Sequence, residues 1–289
     1  MSTITPLPPV PPAPPNAPAS AGGTPPPTRN ASRVIAILTI ALGAAVILGA
    51  VGSAIWSTVA AASVRTETRT VDVAGVESLR VAVDAASLRI EFADVPEATL
   101  DVTSGLGVGR WTFERTGDEL TVETPRRFGP GWIFGGEVRA TLTLPQELEG
   151  AELDAALELS AGELTVDGGF GDLGVDVGAG TFAVDGSART LTAELSAGGA
   201  DIELSDVTEA DLSVSAGAIE ARLTGTAPRS VTVDVSAGSL DLRLPDAVYD
   251  VRSDVSAGDF ENGLQTERGA RNVVDVTVSA GSATIVAAR

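Results

Sequence analysis

A three-residue motif, Ser-Ala-Gly, recurs down the second half of the chain and constrains the fold more than any other feature. It begins at Ser160, Ser196, Ser215, Ser236, Ser256 and Ser279, with a Gly-Ala-Gly variant at Gly178, so successive copies stand 18, 18, 19, 21, 20 and 23 residues apart. A weaker copy begins at Asp84. One place before each motif stands Leu159, Val177, Leu195, Val214, Val235, Val255 or Val278; four places after its first residue comes Leu164, Phe182, Ala200, Ile219, Leu240, Phe260 or Ala283. Apolar residues alternate with polar ones on both sides, which is the period of a half-buried strand.

Across the motif the alternation breaks parity. Reading the central Ala as an inward residue, the next inward step is three rather than two, as a bend between two strands produces, with Gly taking a backbone conformation that a side chain obstructs. Each copy therefore reads as strand, corner, strand and a variable return. A unit of about 18–21 residues that cannot bury its own apolar face stacks on its neighbours. The sequence predicts an all-β, single-domain β-solenoid over 65–289, irregular over 65–150 and regular over 151–289. In the irregular part, "RWTFERTGDELTVET" predicts a hairpin at Thr116, Gly117 and Asp118. The Gly/Pro-rich stretch "RRFGPGWIFGGE" carries Phe128, Trp132 and Phe134, read either as a cap over the open core or as a partner-binding loop.

Two outward columns carry acids. Glu158, Asp176, Glu194, Asp234 and Asp254 stand two places before the motif, and Asp201, Glu220, Asp241 and Glu261 five places after its first residue. Stacked in register, carboxylates of like sign stand about 5 Å apart, an unfavourable arrangement unless compensated. Arg222 and Arg243 are near enough in sequence to compensate part of it. The functional reading is a strip that binds Ca²⁺, another divalent cation or a basic partner. The alternative is a solvated face that keeps a long β surface soluble.

The remaining chemistry is narrow. The chain has no His, no Cys and no Lys, which removes imidazole and thiol nucleophiles, the Ser-His-Asp triad, the usual zinc ligands and disulfides. The repeated serine therefore has no base to activate it and is read as an outward residue bonding the corner backbone. A formal GxGxxG at Gly169, Gly171 and Gly174 is followed by strand-like sequence instead of a helix, so it is not a dinucleotide fingerprint. A formal charge of -20 argues against nucleic acid as a partner. A polysaccharide-active β-helix enzyme is a rival of another class, but it would gather its acids in a cleft, whereas these are spread evenly over the repeats.

Upstream of the repeats, residues 1–32 hold 11 of the 17 prolines and no acid, and read as a disordered cytoplasmic tail. Between Arg33 and Arg65 lie 31 uncharged residues, where about 20 cross a bilayer core. This predicts one transmembrane helix within 33–64, the rival reading being a cleaved signal peptide ending near Ala62. Arg29 and Arg33 on one side and the acid-rich bulk on the other place the repeats outside the cytoplasm of a single-pass membrane protein.

The combination of "LTLPQELEGAELDAALELSAGELTV" with repeated Ser-Ala-Gly-x-Leu-x-Leu copies behind one apolar segment resembles the putative-adhesin, or toast-rack, family of bacterial β-strand-repeat proteins. The resemblance implies a membrane-tethered extracytoplasmic β-solenoid of the kind found in cell-envelope stress systems, without catalytic residues or cofactor. The expectation is a non-catalytic binding, scaffold or sensing module whose partners are envelope proteins or cell-wall polymer, the alternative being an adhesin-like or cation-binding surface.

Overall fold

A computed structural model describes residues 65–104, 110–125 and 138–288. The fold is all-β. In chain order the strands are β1 (Arg65–Val71), β2 (Ser78–Val83), β3 (Ala86–Ala93), β4 (Ala98–Ser104), β5 (Thr112–Thr116), β6 (Glu119–Glu123) and β7 (Arg139–Pro145). After a five-residue helix α1 (Gln146–Gly150) come β8 (Asp154–Leu159), β9 (Gly162–Val177), β10 (Thr181–Leu195), β11 (Gly199–Ser205), β12 (Glu209–Val214) and β13 (Ala218–Thr224). The remainder are β14 (Ser230–Val235), β15 (Ser239–Leu244), β16 (Val248–Val255), β17 (Asp259–Gly263), β18 (Gln265–Thr266), β19 (Asn272–Val278) and β20 (Ser282–Ala287). The formal GxGxxG falls inside β9, and the hairpin expected at Gly117 joins β5 to β6 in antiparallel pairing.

The strands form two series linked by the corners. The strands before the corners pair in the order β6–β2–β8–β9–β10–β12–β14–β19–β16, all parallel. Those after the corners pair in the order β7–β3–β9–β10–β11–β13–β15–β20–β17, again all parallel. β9 and β10 belong to both, their first halves to the second series and their second halves to the first. Antiparallel strands close one end: β5 on β6, β4 on β7, and β1 on β4. Inward side chains of both series, among them Leu159, Val177, Leu164, Phe182, Ile202, Leu212, Leu242 and Ile285, form one buried cluster.

The corner continues the main-chain ladder from unit to unit. The amide of each corner's first residue donates to the carbonyl before the preceding corner (Ser196 N to Val177 O, 2.8 Å; Ser236 N to Val214 O, 2.8 Å), and the corner glycine's carbonyl accepts from the next unit (Ala218 N to Gly198 O, 3.1 Å). Gly198 has φ +107°, and a Cβ there would stand 2.1 Å from the Gly180 carbonyl oxygen. Glycine at the third corner position is thus required by close approach as well as by φ.

Two expectations about the corner are corrected. Its alanine does not join the core: Ala197, Ala216, Ala237, Ala257 and Ala280 are all exposed. Apart from Gly162, which opens β9, the corner residues from Ser160 onward lie outside both series, so the break in parity spans the motif. Nor do the serines cap the corner backbone; among the described residues, the one corner serine with a side-chain hydrogen bond is Ser160, which donates to Asp84 of the neighbouring unit at 2.9 Å.

The last two repeats stack out of chain order. β19 and β20, which carry the Ser279 corner, lie between the Ser236 and Ser256 units instead of beyond them. The inward residues give the reason. Val276 stands between Val233 and Ser253, and Ile285 between Leu242 and Asn262. Chain order would bury Ser253 and Asn262 in mid-core, where an unsatisfied polar group costs about 1–3 kcal/mol. In the end unit both are exposed, and the Asn262 side chain accepts the Leu264 amide at 3.0 Å.

Adjacent glycines are expected to behave oppositely. Gly198→Ala should lower unfolding stability by about 1–3 kcal/mol or more from backbone strain and clash. Gly199→Ala, where a Cβ would meet nothing within 4 Å, should leave stability nearly unchanged. Urea titration of both variants checks this. The sole tyrosine, Tyr249, is fully buried and its hydroxyl donates to the Pro245 carbonyl at 2.8 Å. Burial, with Asp246 nearby, pushes its phenol up to about 12. This raised value stabilises the fold below the unfolded pKa of about 10, and the contribution is lost as pH rises from there through the folded value. Phenolate absorbance should appear near pH 12 in the folded protein and about two units lower in urea.

Candidate functional site

Strand register converts the acids of the repeat into columns. In the first, Glu158, Asp176 and Glu194 are direct neighbours; Ser213 follows, then Asp234, Thr277 and Asp254. In the second, Arg89, Thr165 and Ala183 precede three neighbouring acids, Asp201, Glu220 and Asp241, and Thr284 separates these from Glu261. The inserted strands thus place a threonine between Asp234 and Asp254 in one column and between Asp241 and Glu261 in the other. Two uninterrupted acidic triplets remain, with neighbouring strands about 4.8 Å apart.

All nine carboxylates are exposed, and none makes an ion pair or side-chain hydrogen bond among the described residues. The arginines read as compensating act elsewhere or not at all. Arg222 approaches Glu203, its register partner on the adjacent strand and two places along from the acidic column, at 3.8 Å, and Arg243 makes no ion pair among the described residues.

The first triplet borders a depression on the outer face of the first series. Its volume is about 370 Å³, with Ala156 and Gly174 on its floor and Arg80, Glu123, Glu158, Asp176 and Glu194 around them. A second depression of about 430 Å³ shares Arg80, Ala156, Gly174 and Thr192 and reaches Asp154 and Asp172. Small side chains at Ala156 and Gly174, where the same outward column elsewhere carries Arg80, Thr192 and Asp211, leave the strand backbone open to solvent.

Beside it lies a charge cluster absent from the sequence-based expectations. Arg189 reaches Asp172 and Glu152 at 2.9 Å each and Asp154 at 3.7 Å; Thr190 donates to Asp172 at 2.8 Å, and Asp154 accepts the Asp172 amide at 2.8 Å. The Thr190 hydroxyl and the Arg189 guanidinium hold the Asp172 carboxyl below its ordinary range. The signal was the 18-residue offset among positions 154, 172 and 190, six places before the motif rather than two.

Among the described residues no three of Asp, Glu, His or Cys converge as a metal-binding group. The acids run in line along the stacking direction, which suits a distributed cationic contact better than one ion in a cage. Phe128, Trp132 and Phe134 lie outside the described residues, as do the tail and the apolar segment within 33–64. No helix among the described residues is long and apolar enough to cross a membrane.

No family model and no curated protein matches the chain. Solved structures resemble it at low identity. A putative adhesin from Parabacteroides merdae is 13% identical, with 78% of this chain and 96% of that one covered and a TM-score of 0.44. A putative adhesin from Bacteroides fragilis is 12% identical, with coverage of 78% and 97% and a TM-score of 0.41. A putative lipid binding protein from Parabacteroides distasonis is 17% identical, with coverage of 77% and 97% and a TM-score of 0.40.

Asp172 supplies a pH test. Its lowered pKa contributes stability above the unfolded carboxylate value, and that contribution is lost as pH falls through the folded one. Asp172→Asn should unfold at slightly lower urea than the parent near neutral pH, with the two midpoints converging in strong acid.

Proposed function

We propose that the chain is a non-catalytic, membrane-anchored module of the bacterial cell envelope whose strand–corner–strand units are the rungs of a β-solenoid. Its outward acidic columns engage a cationic partner outside the cytoplasm. The observation that carries this reading is the triplet Glu158, Asp176 and Glu194: three exposed neighbouring carboxylates without a basic partner among the described residues, at the edge of an open depression. Like charges stacked at strand spacing are unfavourable alone, and a bound cationic group relieves them. A linear array fits an extended basic segment of an envelope protein or a cationic wall polymer, with Ca²⁺ as the small-ion alternative. Scaffolding or sensing in envelope-stress signalling and adhesin-like attachment both use such a surface. The absence of His, Cys and Lys, together with the spread of the acids over several units, supports a binding role over a catalytic one.

Crosslinking in intact cells, followed by identification of what is captured, tests the reading. Capture should fall strongly in the triple variant Glu158→Gln/Asp176→Asn/Glu194→Gln and with rising salt, since exposed charge contacts are screened. A membrane kinase or regulator as the captured species favours signalling, and wall polymer favours adhesion. Capture insensitive to both the substitutions and salt would rule out the acidic columns as the contact. Calorimetric titration with Ca²⁺ separates the small-ion alternative: heat and a thermal shift that the triple variant loses would favour it, and neither at millimolar metal would end it.

A further inference from the structure

The gap filled by β19 and β20 has an unusual construction. Its two walls, the β14/β15 unit and the β16/β17 unit, are consecutive in the chain and joined through residues 245–247 alone, yet they stand one unit apart. The filling segment comes later, through a largely exposed link over 264–271. Until it arrives, β14/β15 presents an apolar row, Val231, Val233, Val235, Leu240, Leu242 and Leu244, all buried in the finished fold. The β16/β17 unit cannot cover that row without burying Ser253 and Asn262 and setting Asp254 beside Asp234. The slot therefore selects a sequence: Val274, Val276 and Val278, then the corner, then Ala283 and Ile285, hydrogen-bonded in register on both sides.

Nothing in that selection requires the segment to come from the same chain. We propose that the slot is an exchange site between copies: residues 272–287 of a second copy occupy it, and the two copies trade these segments reciprocally. The exchanged dimer keeps each main-chain bond and apolar contact of the segment, so its interface is the slot itself and only the links differ. The competing intrachain closure has an effective concentration in the millimolar range for a short link. Exchange therefore competes with intrachain closure where copies are crowded to comparable density, as on a shared membrane; only this location rests on the anchoring proposed above.

The absence of cysteine allows a clean test with the full-length chain. Asp241 and Thr284 are register neighbours across the slot wall. Single variants Asp241→Cys and Thr284→Cys are mixed, unfolded in urea with detergent, refolded together over a range of concentrations and treated with a short bis-maleimide. The expected result is a crosslinked heterodimer that grows with protein concentration and exceeds, several-fold, the yield from Asp241→Cys mixed with Thr165→Cys, a pair far apart in the column. The double variant Asp241→Cys/Thr284→Cys, refolded dilute, should crosslink within one chain and so shows that the pair is within reach. Heterodimer at or below the control at every concentration, alongside efficient intrachain crosslinking, overturns the proposal. Failure of the double variant to crosslink at all overturns the slot itself.

Discussion

Every other feature of the fold depends on the main-chain hydrogen bonding that passes from unit to unit in parallel register and does not stop at the corner. Because Gly198 sits against the carbonyl of Gly180 and Gly217 against that of Gly198, the corners stack at the same spacing as the strands. Position along the repeat then becomes position in space. Inward places form apolar columns, and outward places form charge columns. With no disulfide available, this register and the apolar columns it aligns hold the fold.

Such regularity makes like charges accumulate, and the chain handles them in two ways. Arg189 joins Asp172, Asp154 and Glu152 into one cluster at the sixth place before the corner, and Arg89 joins Asp167 and Glu91 in the second series. Near the far end, the out-of-order unit interposes Thr277 and Thr284 between acids. The triplets Glu158–Asp176–Glu194 and Asp201–Glu220–Asp241 receive neither treatment. That contrast, rather than acidity as such, singles them out as a surface for a cationic partner.

Much of this was legible in the sequence, and the exceptions have physical causes. Alternation around the motif identified the strands and the outward direction of all nine acids, because a two-residue period assigns faces directly, and the local stretch at Thr116, Gly117 and Asp118 identified the hairpin. The corner alanines were misplaced because the distance from Val235 to Leu240 is the same wherever the chain changes direction between them. Stacking order was hidden because spacing reports neighbours in the chain, whereas Ser253 and Asn262, polar at inward places, were the residues that marked an end unit. The Arg189 cluster was not legible beside the motif because Asp154, Asp172 and Thr190 recur six places before the corner and meet only once the strands stack in register. The apolar segment within 33–64 and the aromatics Phe128, Trp132 and Phe134 lie outside the described residues.

The out-of-order unit is the feature on which the threonine breaks in the charge columns, the polar end and the slot all rest, and one measurement addresses it directly. In the cysteine-free background, Asp234→Cys/Thr277→Cys and Asp234→Cys/Asp254→Cys are compared for intrachain reaction with the shortest bifunctional thiol reagent, in dilute, folded full-length protein. The stacking described here predicts fast, near-complete crosslinking of the first pair, whose strands are adjacent, and slow crosslinking of the second, which are separated by a strand. Faster crosslinking of the Asp234 and Asp254 positions would mean that the units stack in chain order, and would contradict the account.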